Sequence, residues 1–163
     1  MAKTSNSSKN GQIRRQLQEA IQACQAKKGE QISVLRLGPH AGAFTDYFVL
    51  CTGNNPRQIQ AISDEIETRL SHRGAKPSHT EGYNQGEWVL LDYVDFVVHV
   101  FSPKARSFYD LERLWKSAAR LDPSNLKMLR EPAKRKASAR GTRVHTKSRA
   151  AVRSARLATR TKS

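Results

Sequence analysis

Two strand-like runs separated by a short acidic turn constrain this chain most. Residues 88–92 (WVLLD) and 95–101 (DFVVHVF) alternate their side chains with a period of two, which is typical of β-strands. Only two residues separate the runs, so the sequence predicts a β-hairpin whose turn is flanked by Asp92 and Asp95. Facing carboxylates repel, so a catalytic dyad, a docking site for a partner's basic side chains and two solvated acids are all open interpretations. Docking is the better functional interpretation because no nucleophile lies nearby.

The predicted hairpin has two apolar faces. If Asp92 faces Asp95, then Trp88 faces His99, and successive side chains lie on opposite faces. One face then carries Val89, Leu91, Phe96, Val98 and Val100, and the other carries Trp88, Leu90, Val97 and His99. Two interpretations are open: helices of the same domain cover both faces, or one face docks a partner. Trp88 beside Leu90 is the kind of anchor that partner surfaces use, and burial of Trp88 in the protein's own core is the alternative.

The remaining pattern predicts a single α/β domain with a mixed β-sheet packed by helices. Apolar periodicity, turn residues and caps place its elements. They are a helix from Gly11 to Lys28, strands at 31–37 and 46–52, a helix from Pro56 to near Gly74, a short edge strand at 77–81, the hairpin, and a helix that starts at Ser102-Pro103 and carries Phe108, Leu111, Leu114 or Trp115, and Ala118 on its apolar stripe.

Charge divides the chain into a nearly neutral domain and a basic tail. The formal net charge is +15, but residues 11–122 contain 14 Lys and Arg against 13 Asp and Glu. Residues 123–163 contain 13 Lys and Arg and a single acid, Glu131. This low-complexity tail has too little apolar surface to repay the entropy of folding, so we expect it to be disordered. Residues 1–10 are expected to form a disordered N-terminus.

The tail is predicted to bind nucleic acid. Contacts to phosphates would make this binding steeply dependent on salt and largely independent of sequence. The predicted nucleic-acid-binding residues are Lys134, Arg135, Lys136, Arg149, Arg153, Arg156 and Arg160. Because the basicity belongs to the tail, the partner of the folded domain has to be inferred separately.

No pattern for catalysis, for a metal or for a cofactor is visible in the sequence. The histidines and cysteines lack ligand spacing, and the glycines form neither a phosphate-binding loop nor a dinucleotide fingerprint. The longest apolar runs are too short to span a membrane. Cys24 and Cys51 are expected to be reduced core thiols, which fits a cytoplasmic protein. We therefore expect no enzyme activity and no cofactor.

Several ordered motifs resemble the ribosomal silencing factor family, also called Iojap-like. They are DYFVLCTG at 46–53, then Arg57-Gln58 and Ala61-Ile62, Glu81-Gly82, Trp88 followed by LLDY and VVHVF, and Arg106 followed by FYDLERLW at 108–115. The resemblance covers roughly Gly11 to Ala119. It implies a small α/β domain that is distantly like nucleotidyltransferases in fold but lacks their catalytic residues.

The resemblance also implies a function. Members of the family bind a protein of the large ribosomal subunit, the fourteenth in the large-subunit series, at the intersubunit face. They block joining of the small subunit and thereby reduce translation when nutrients are short. A nearly neutral domain with acidic and aromatic patches suits a basic ribosomal protein. The predicted docking residues are Trp88, Leu90, Asp92, Tyr93, Asp95, Tyr109, Leu114 and Trp115.

The chain departs from the family in two places. Val94 stands where the family often has Gly, and a β-branched residue disfavours positive φ, so a longer loop is an alternative to the tight turn. The second departure is the basic tail, which we expect to grip ribosomal RNA and to raise affinity through effective concentration. The rival functions are an RNA-binding ribosome-assembly factor that acts mainly through its tail and a nucleotidyltransferase-like enzyme. A homodimer through the same apolar surface is also open.

Overall fold

A six-stranded mixed β-sheet forms the centre of the fold. The computed structural model describes residues 3–38 and 44–126, so the tail residues predicted to bind nucleic acid lie outside the described residues. The helices are α1 (Lys3–Ala26), α2 (Pro56–His72), α3 (Pro103–Tyr109) and α4 (Leu111–Leu114), and the strands are β1 (Glu30–Arg36), β2 (Tyr47–Thr52), β3 (His79–Glu81), β4 (Trp88–Asp92), β5 (Phe96–Phe101) and β6 (Ala119–Leu121). The strand order is β3-β4-β5-β2-β1-β6, in which β2 and β5 are parallel and the other neighbours are antiparallel. The predicted α/β fold with a mixed sheet is confirmed.

Helices α1 and α2 cover one face of the sheet. Helix α2 begins where the sequence predicts, because the Asn55 side chain accepts a hydrogen bond from the Gln58 amide and Pro56 takes the first helical turn. Its apolar stripe is buried as predicted and consists of Ile59, Ile62, Ile66 and Leu70. This stripe packs with α1 and with side chains of β2, β4 and β5 into one core.

Helix α1 begins at Lys3 rather than near Gly11. The expected disorder of residues 1–10 is therefore wrong from Lys3 onward. A glycine inside a helix costs about 1 kcal/mol relative to alanine, which is too little to end a helix that continues on both sides. On the added turns, Lys9 Nζ lies 3.2 Å from Asp95 Oδ1 at the hairpin. This ion pair joins residues far apart in sequence, so no local pattern reveals it.

The hairpin of β4 and β5 has the predicted faces but a different register. Leu90 pairs with His99 and Asp92 pairs with Val97, so the prediction that Asp92 faces Asp95 is wrong. The register differs from the predicted one by two residues, which leaves every side chain on its predicted face because the side-chain period of a strand is two. The observed register also removes the repulsion between facing carboxylates.

A tight turn closes this hairpin. The Tyr93 amide donates to the Phe96 carbonyl at 2.9 Å, and Val94 between them has a φ of 71°. The alternative of a longer loop is wrong, because Val94 adopts the left-handed conformation that β-branched residues disfavour. The side chain of Asp92 holds the turn, since its Oδ1 accepts a hydrogen bond from the Val94 amide at 2.8 Å.

The predicted last helix is instead two short helices followed by a strand. Helix α3 ends at Tyr109, Asp110 takes a left-handed φ of 40°, and α4 is a single turn. The sequence predicts that Phe108 lies on the apolar stripe of one continuous helix, but Phe108 is 70% exposed. The break at Asp110 gives α4 a different phase from α3, so the two do not share one stripe.

The domain also extends past the boundary expected at Asp122. Strand β6 pairs with β1 and forms one edge of the sheet, an element that the sequence did not predict. Beyond it, Leu126 is buried and packs in the core under α1 and α2. A three-residue strand carries too little pattern to be recognised without its partner strand.

Candidate docking surface

The chain from α3 to β6 crosses the sheet face opposite to α1 and α2. The side chains beneath it are here called the second-face core, which consists of Leu35, Leu37, Phe48, Leu50, Trp88, Leu90, Val97, Phe101, Ala105, Leu111 and Trp115. Three of the predicted docking residues belong to this core, and Tyr109 packs against it. The structure therefore brings together Trp88, Leu90, Tyr109 and Trp115.

Trp88 is buried within the chain, which is the alternative that the sequence left open. Its side chain is 8% exposed, and its Nε1 donates a hydrogen bond to His99 Nδ1 at 3.1 Å. The indole lies 5.2 Å from the Phe101 ring and 4.6 Å from the Tyr109 ring, measured between ring centroids. Trp88 thus links the sheet to α3 and supports the surface from beneath.

Trp115 and Leu90 are buried as well. The Trp115 ring meets the Phe48 ring edge-on at a centroid distance of 5.7 Å, and both Trp115 and Leu90 are less than one-tenth exposed. The Trp115 Nε1 is buried without a hydrogen-bond partner among the described residues. The edge of the second-face core therefore contains one indole N–H group whose hydrogen bond is not made within this part of the chain.

Tyr93 lies on the other side of the sheet, away from Trp88. Its ring stacks on Phe96 at a centroid distance of 5.0 Å and packs in the core beneath α1 and α2. Burial raises the pKa of the Tyr93 hydroxyl well above its ordinary value, and the negative charge of Glu67 adds to the rise. Tyr93 anchors the hairpin turn to the core and does not share a face with the other predicted aromatic residues.

The accessible apolar residues on the α3–α4 side are Leu114 and Phe108. Leu114 is 55% exposed, and Tyr109 at the end of α3 is half-buried. Phe108 was not among the predicted docking residues, yet it is the most exposed large apolar side chain in the described part of the chain, and its ring meets Tyr109 edge-on at 4.9 Å. Its exposure depends on the helix break at Asp110, which the sequence pattern does not show.

Three carboxylates lie around the hairpin turn. Asp92 and Asp95 belong to the turn itself, and the Asp46 amide donates to the Asp95 carbonyl at 3.1 Å. Burial raises the pKa of the Asp46 carboxyl, the charge of Asp95 raises it further, and Lys9 and Arg36 oppose the rise. The three carboxylates around the hairpin turn are therefore compensated only in part, by Lys9 and Arg36, and the remaining negative charge suits basic side chains of a partner.

A buried polar network fixes α3 and α4 to the sheet. Arg106 is 9% exposed and binds Glu112 through two hydrogen bonds, from Nη2 to Oε1 at 2.8 Å and from Nε to Oε2 at 3.2 Å. Arg106 Nη1 donates to Thr52 Oγ1 at 3.1 Å, and the Ser33 hydroxyl donates to Glu112 Oε1 at 3.0 Å. The network positions the helices that carry Leu114 and Phe108.

The same network sets the charge of Glu112. Burial alone would raise the pKa of the Glu112 carboxyl, but the hydrogen bonds from Arg106 and Ser33 outweigh it and hold the pKa below its ordinary value. Glu112 is therefore ionised at neutral pH and compensates the buried guanidinium of Arg106. Neither residue was among the predicted docking residues, although Arg106 and the motif with Glu112 carried the family resemblance.

The described residues show no other obvious chemical centre. Within residues 3–38 and 44–126, no group of three or more His, Cys, Asp or Glu side chains lies close enough to hold a metal ion. None of the helices described is both long and apolar enough to cross a bilayer. Cys24 and Cys51 are free thiols in the core, as expected.

Known proteins resemble this chain in sequence and in fold. A family model described as ribosomal silencing factor during starvation matches residues 10–154. A ribosomal silencing factor of Bacillus subtilis is 40% identical over 106 residues, which cover 65% of this chain and 89% of that protein. A Mus musculus protein named mitochondrial assembly of ribosomal large subunit protein 1 is 27% identical over 92 residues, or 55% of this chain and 40% of the relative. A crystal structure of a Chromobacterium violaceum protein has a TM-score of 0.61 and 34% identity, covering 64% of this chain and 86% of that one.

The family match includes the elements described above. It spans the hairpin, its acidic turn and the segment with Arg106 and Glu112, and it continues into the basic tail. The fold similarity to the Chromobacterium violaceum protein extends over 64% of this chain. The chain belongs to the family of ribosomal silencing factors.

Proposed function

We propose that this protein acts in the cytoplasm, binds the large ribosomal subunit and blocks joining of the small subunit when nutrients are short. The contact is a ribosomal protein, the fourteenth of the large-subunit series, at the intersubunit face. Family membership supports a role in silencing ribosomes, and the name of the mouse relative associates a related protein with the large subunit. Blocking by occupancy needs a tight contact in the right place and no catalytic turnover.

The observation that carries this proposal is the acidic turn of the hairpin. Asp46, Asp92 and Asp95 converge at one end of the sheet in a domain whose total charge is nearly neutral. Ribosomal proteins are basic because they bind RNA, so a local negative surface on the partner favours their approach and fixes its orientation. Such complementarity contributes more to specificity and to the rate of association than to total affinity.

The structure changes which predicted docking residues we expect to touch the partner. Asp92 and Asp95 at the turn and Leu114 and Tyr109 on the α3–α4 side are accessible and are proposed as direct contacts. The buried residues Trp88, Leu90 and Trp115 are proposed to support the α3–α4 side from beneath, and Tyr93 is proposed to anchor the turn from the opposite face. Phe108 joins the surface as an additional apolar contact. A homodimer through the same residues stays a prediction.

Reversing the charge of Asp95 tests the acidic turn. Asp95→Lys is expected to weaken binding to isolated large ribosomal subunits about tenfold or more, because a partner's cation would then meet a cation. The substitution also removes the exposed ion pair with Lys9, which contributes at most about 1 kcal/mol to folding. Co-sedimentation of the full chain with large subunits measures the binding.

The matched control is Glu87→Lys on the same hairpin. Glu87 is an exposed carboxylate just before β4, at the end of that strand opposite to Asp92 and Asp95. It changes the net charge by the same amount, so any general effect of charge on RNA attraction is shared by both variants. Equal weakening by both variants would contradict a specific contact at the turn, and normal binding of Asp95→Lys would remove it from the docking surface.

The second candidate is an RNA-binding ribosome-assembly factor that acts mainly through its tail, and the net charge of +12 on residues 123–163 favours it. A chain that ends at Leu126 separates the two, since Leu126 completes the core and Asp122 does not. We expect this shortened chain to bind large subunits more weakly, with a shallower dependence on salt, but to bind them still. Complete loss of binding at low salt would favour the assembly factor.

A further inference from the structure

Val94 combines two properties that are unfavourable for the isolated domain. Its φ is 71°, in the left-handed region that β-branched side chains avoid, and its side chain is 64% exposed. Among residues 3–38 and 44–126, the exposed side chain therefore gains little burial that would offset the backbone strain. Strained residues persist only where the surroundings over-determine them, and they cluster at binding and catalytic sites.

The surroundings of Val94 do over-determine the turn. The Asp92 carboxylate accepts a hydrogen bond from the Val94 amide at 2.8 Å, and the buried Thr45 hydroxyl donates to the Val94 carbonyl at 2.9 Å. The Asp95 amide donates to the Tyr93 carbonyl at 2.9 Å, which closes the backbone around Val94. These bonds hold the peptide groups on both sides of Val94, so the valine side chain points from a rigid position.

A glycine at this position would form the same turn without strain. Every hydrogen bond that fixes the turn comes from the backbone of Val94 or from its neighbours, and none needs the isopropyl group. The isopropyl group therefore weakens the folded state and leaves its apolar surface in water. A contact outside the chain is the arrangement in which this side chain contributes favourably.

We propose that Val94 is an apolar contact residue that enters a small apolar pocket on the protein partner, and that the rim of this pocket is basic. The carboxylates of Asp92 and Asp95 flank Val94 and would face cations at the rim of the pocket. Within the chain, Asp95 already forms an ion pair with a cation, Lys9. Burial of the apolar centre with charges at the edge is the usual division in protein interfaces. The inference rests on the proposed function and adds a residue that determines which partner surface fits.

The test is Val94→Gly in the full chain, with stability and binding measured on the same preparation. The substitution is expected to raise Tm by about 3 °C or more, because the backbone strain is removed. It is expected to weaken binding to isolated large ribosomal subunits about tenfold, because the apolar contact is lost. A variant that is more stable and yet binds less well separates the contact from any damage to the fold.

Val94→Asn is the matched control for added backbone flexibility. Asparagine tolerates the left-handed conformation but offers no apolar surface, so it should also raise Tm and weaken binding. If Val94→Gly leaves Tm unchanged or lowers it, the strain argument is overturned. If either variant binds large subunits as tightly as the unaltered chain, the contact is overturned. If the contact of Val94 is overturned but Asp95→Lys still weakens binding, the proposed function stands. If all three variants bind normally, the acidic turn is not part of the docking surface.

Discussion

Gly82→Ala is expected to lower the free energy of unfolding by about 3 kcal/mol or more. Gly82 has a φ of 78°, and a Cβ atom there would lie 1.9 Å from the Trp88 carbonyl oxygen and 3.0 Å from its carbon. This neighbour is backbone, so no change of rotamer relieves the overlap. The loop before β4 would have to move away from the strand that carries Trp88.

Gly74→Ala is the control for this prediction. Gly74 has nearly the same φ, 76°, but no heavy atom lies within 4 Å of the position that a Cβ would take. Alanine there suffers only the left-handed backbone strain, about 1 to 2 kcal/mol. Unfolding in urea, followed by circular dichroism, gives both values. Similar losses in the two variants would contradict the close approach of Gly82 to Trp88.

Arg106→Ala is expected to lower the free energy of unfolding by about 3 kcal/mol. The substitution removes both hydrogen bonds to Glu112 and the bond to Thr52, and it leaves a partly buried carboxylate without its cation. Arg113→Ala on the neighbouring turn is the control, because Arg113 is exposed and its loss should cost less than about 0.5 kcal/mol. Comparable losses in the two variants would show that the network does not hold α3 and α4.

The difference between the unaltered chain and Arg106→Ala also depends on pH. The pKa of Glu112 is lowered in the folded state, so its contribution to stability is present above the ordinary glutamate pKa of 4.5. It is lost as the pH falls through the lower, folded-state pKa. We therefore expect the difference in unfolding free energy between the two chains to be largest near neutral pH and to shrink in acid. A difference that stays constant down to strongly acidic pH would contradict this role of Glu112.

Local patterns in the sequence predict some elements of this fold accurately. Helix α2 has a cap at Asn55, Pro56 at its start and an apolar stripe along its length, and all three signals agree with the structure. The two faces of the hairpin were also predictable, because the strand period of two fixes which side chains share a face. The register was not, since a shift of two residues leaves the same side chains on each face. The turn is fixed instead by the hydrogen bonds of the Val94 amide to Asp92 and of the Thr45 hydroxyl to the Val94 carbonyl.

The candidate site depends more heavily on contacts between distant residues. Whether Trp88 is buried or exposed is decided by the path of α3 and by the Tyr109 ring that lies against it. That path follows from the break at Asp110 and from bonds between Arg106 and residues of β1 and β2. Partners so far apart along the chain leave no periodic pattern, so the exposure of Phe108 and Leu114 could not be read from the sequence.

The second-face core contains every tryptophan of the chain. The sequence has two tryptophans, and both Trp88 and Trp115 lie there, on the side of the sheet away from α1 and α2. Indole emission shifts to longer wavelength when the ring becomes wet and to shorter wavelength when it becomes drier. Intrinsic fluorescence excited at the tryptophan band therefore reports events on this side of the domain alone. Binding of a partner to the α3–α4 surface would shift the emission to shorter wavelength, and loosening of these helices would shift it to longer wavelength. No added label is needed to distinguish the two.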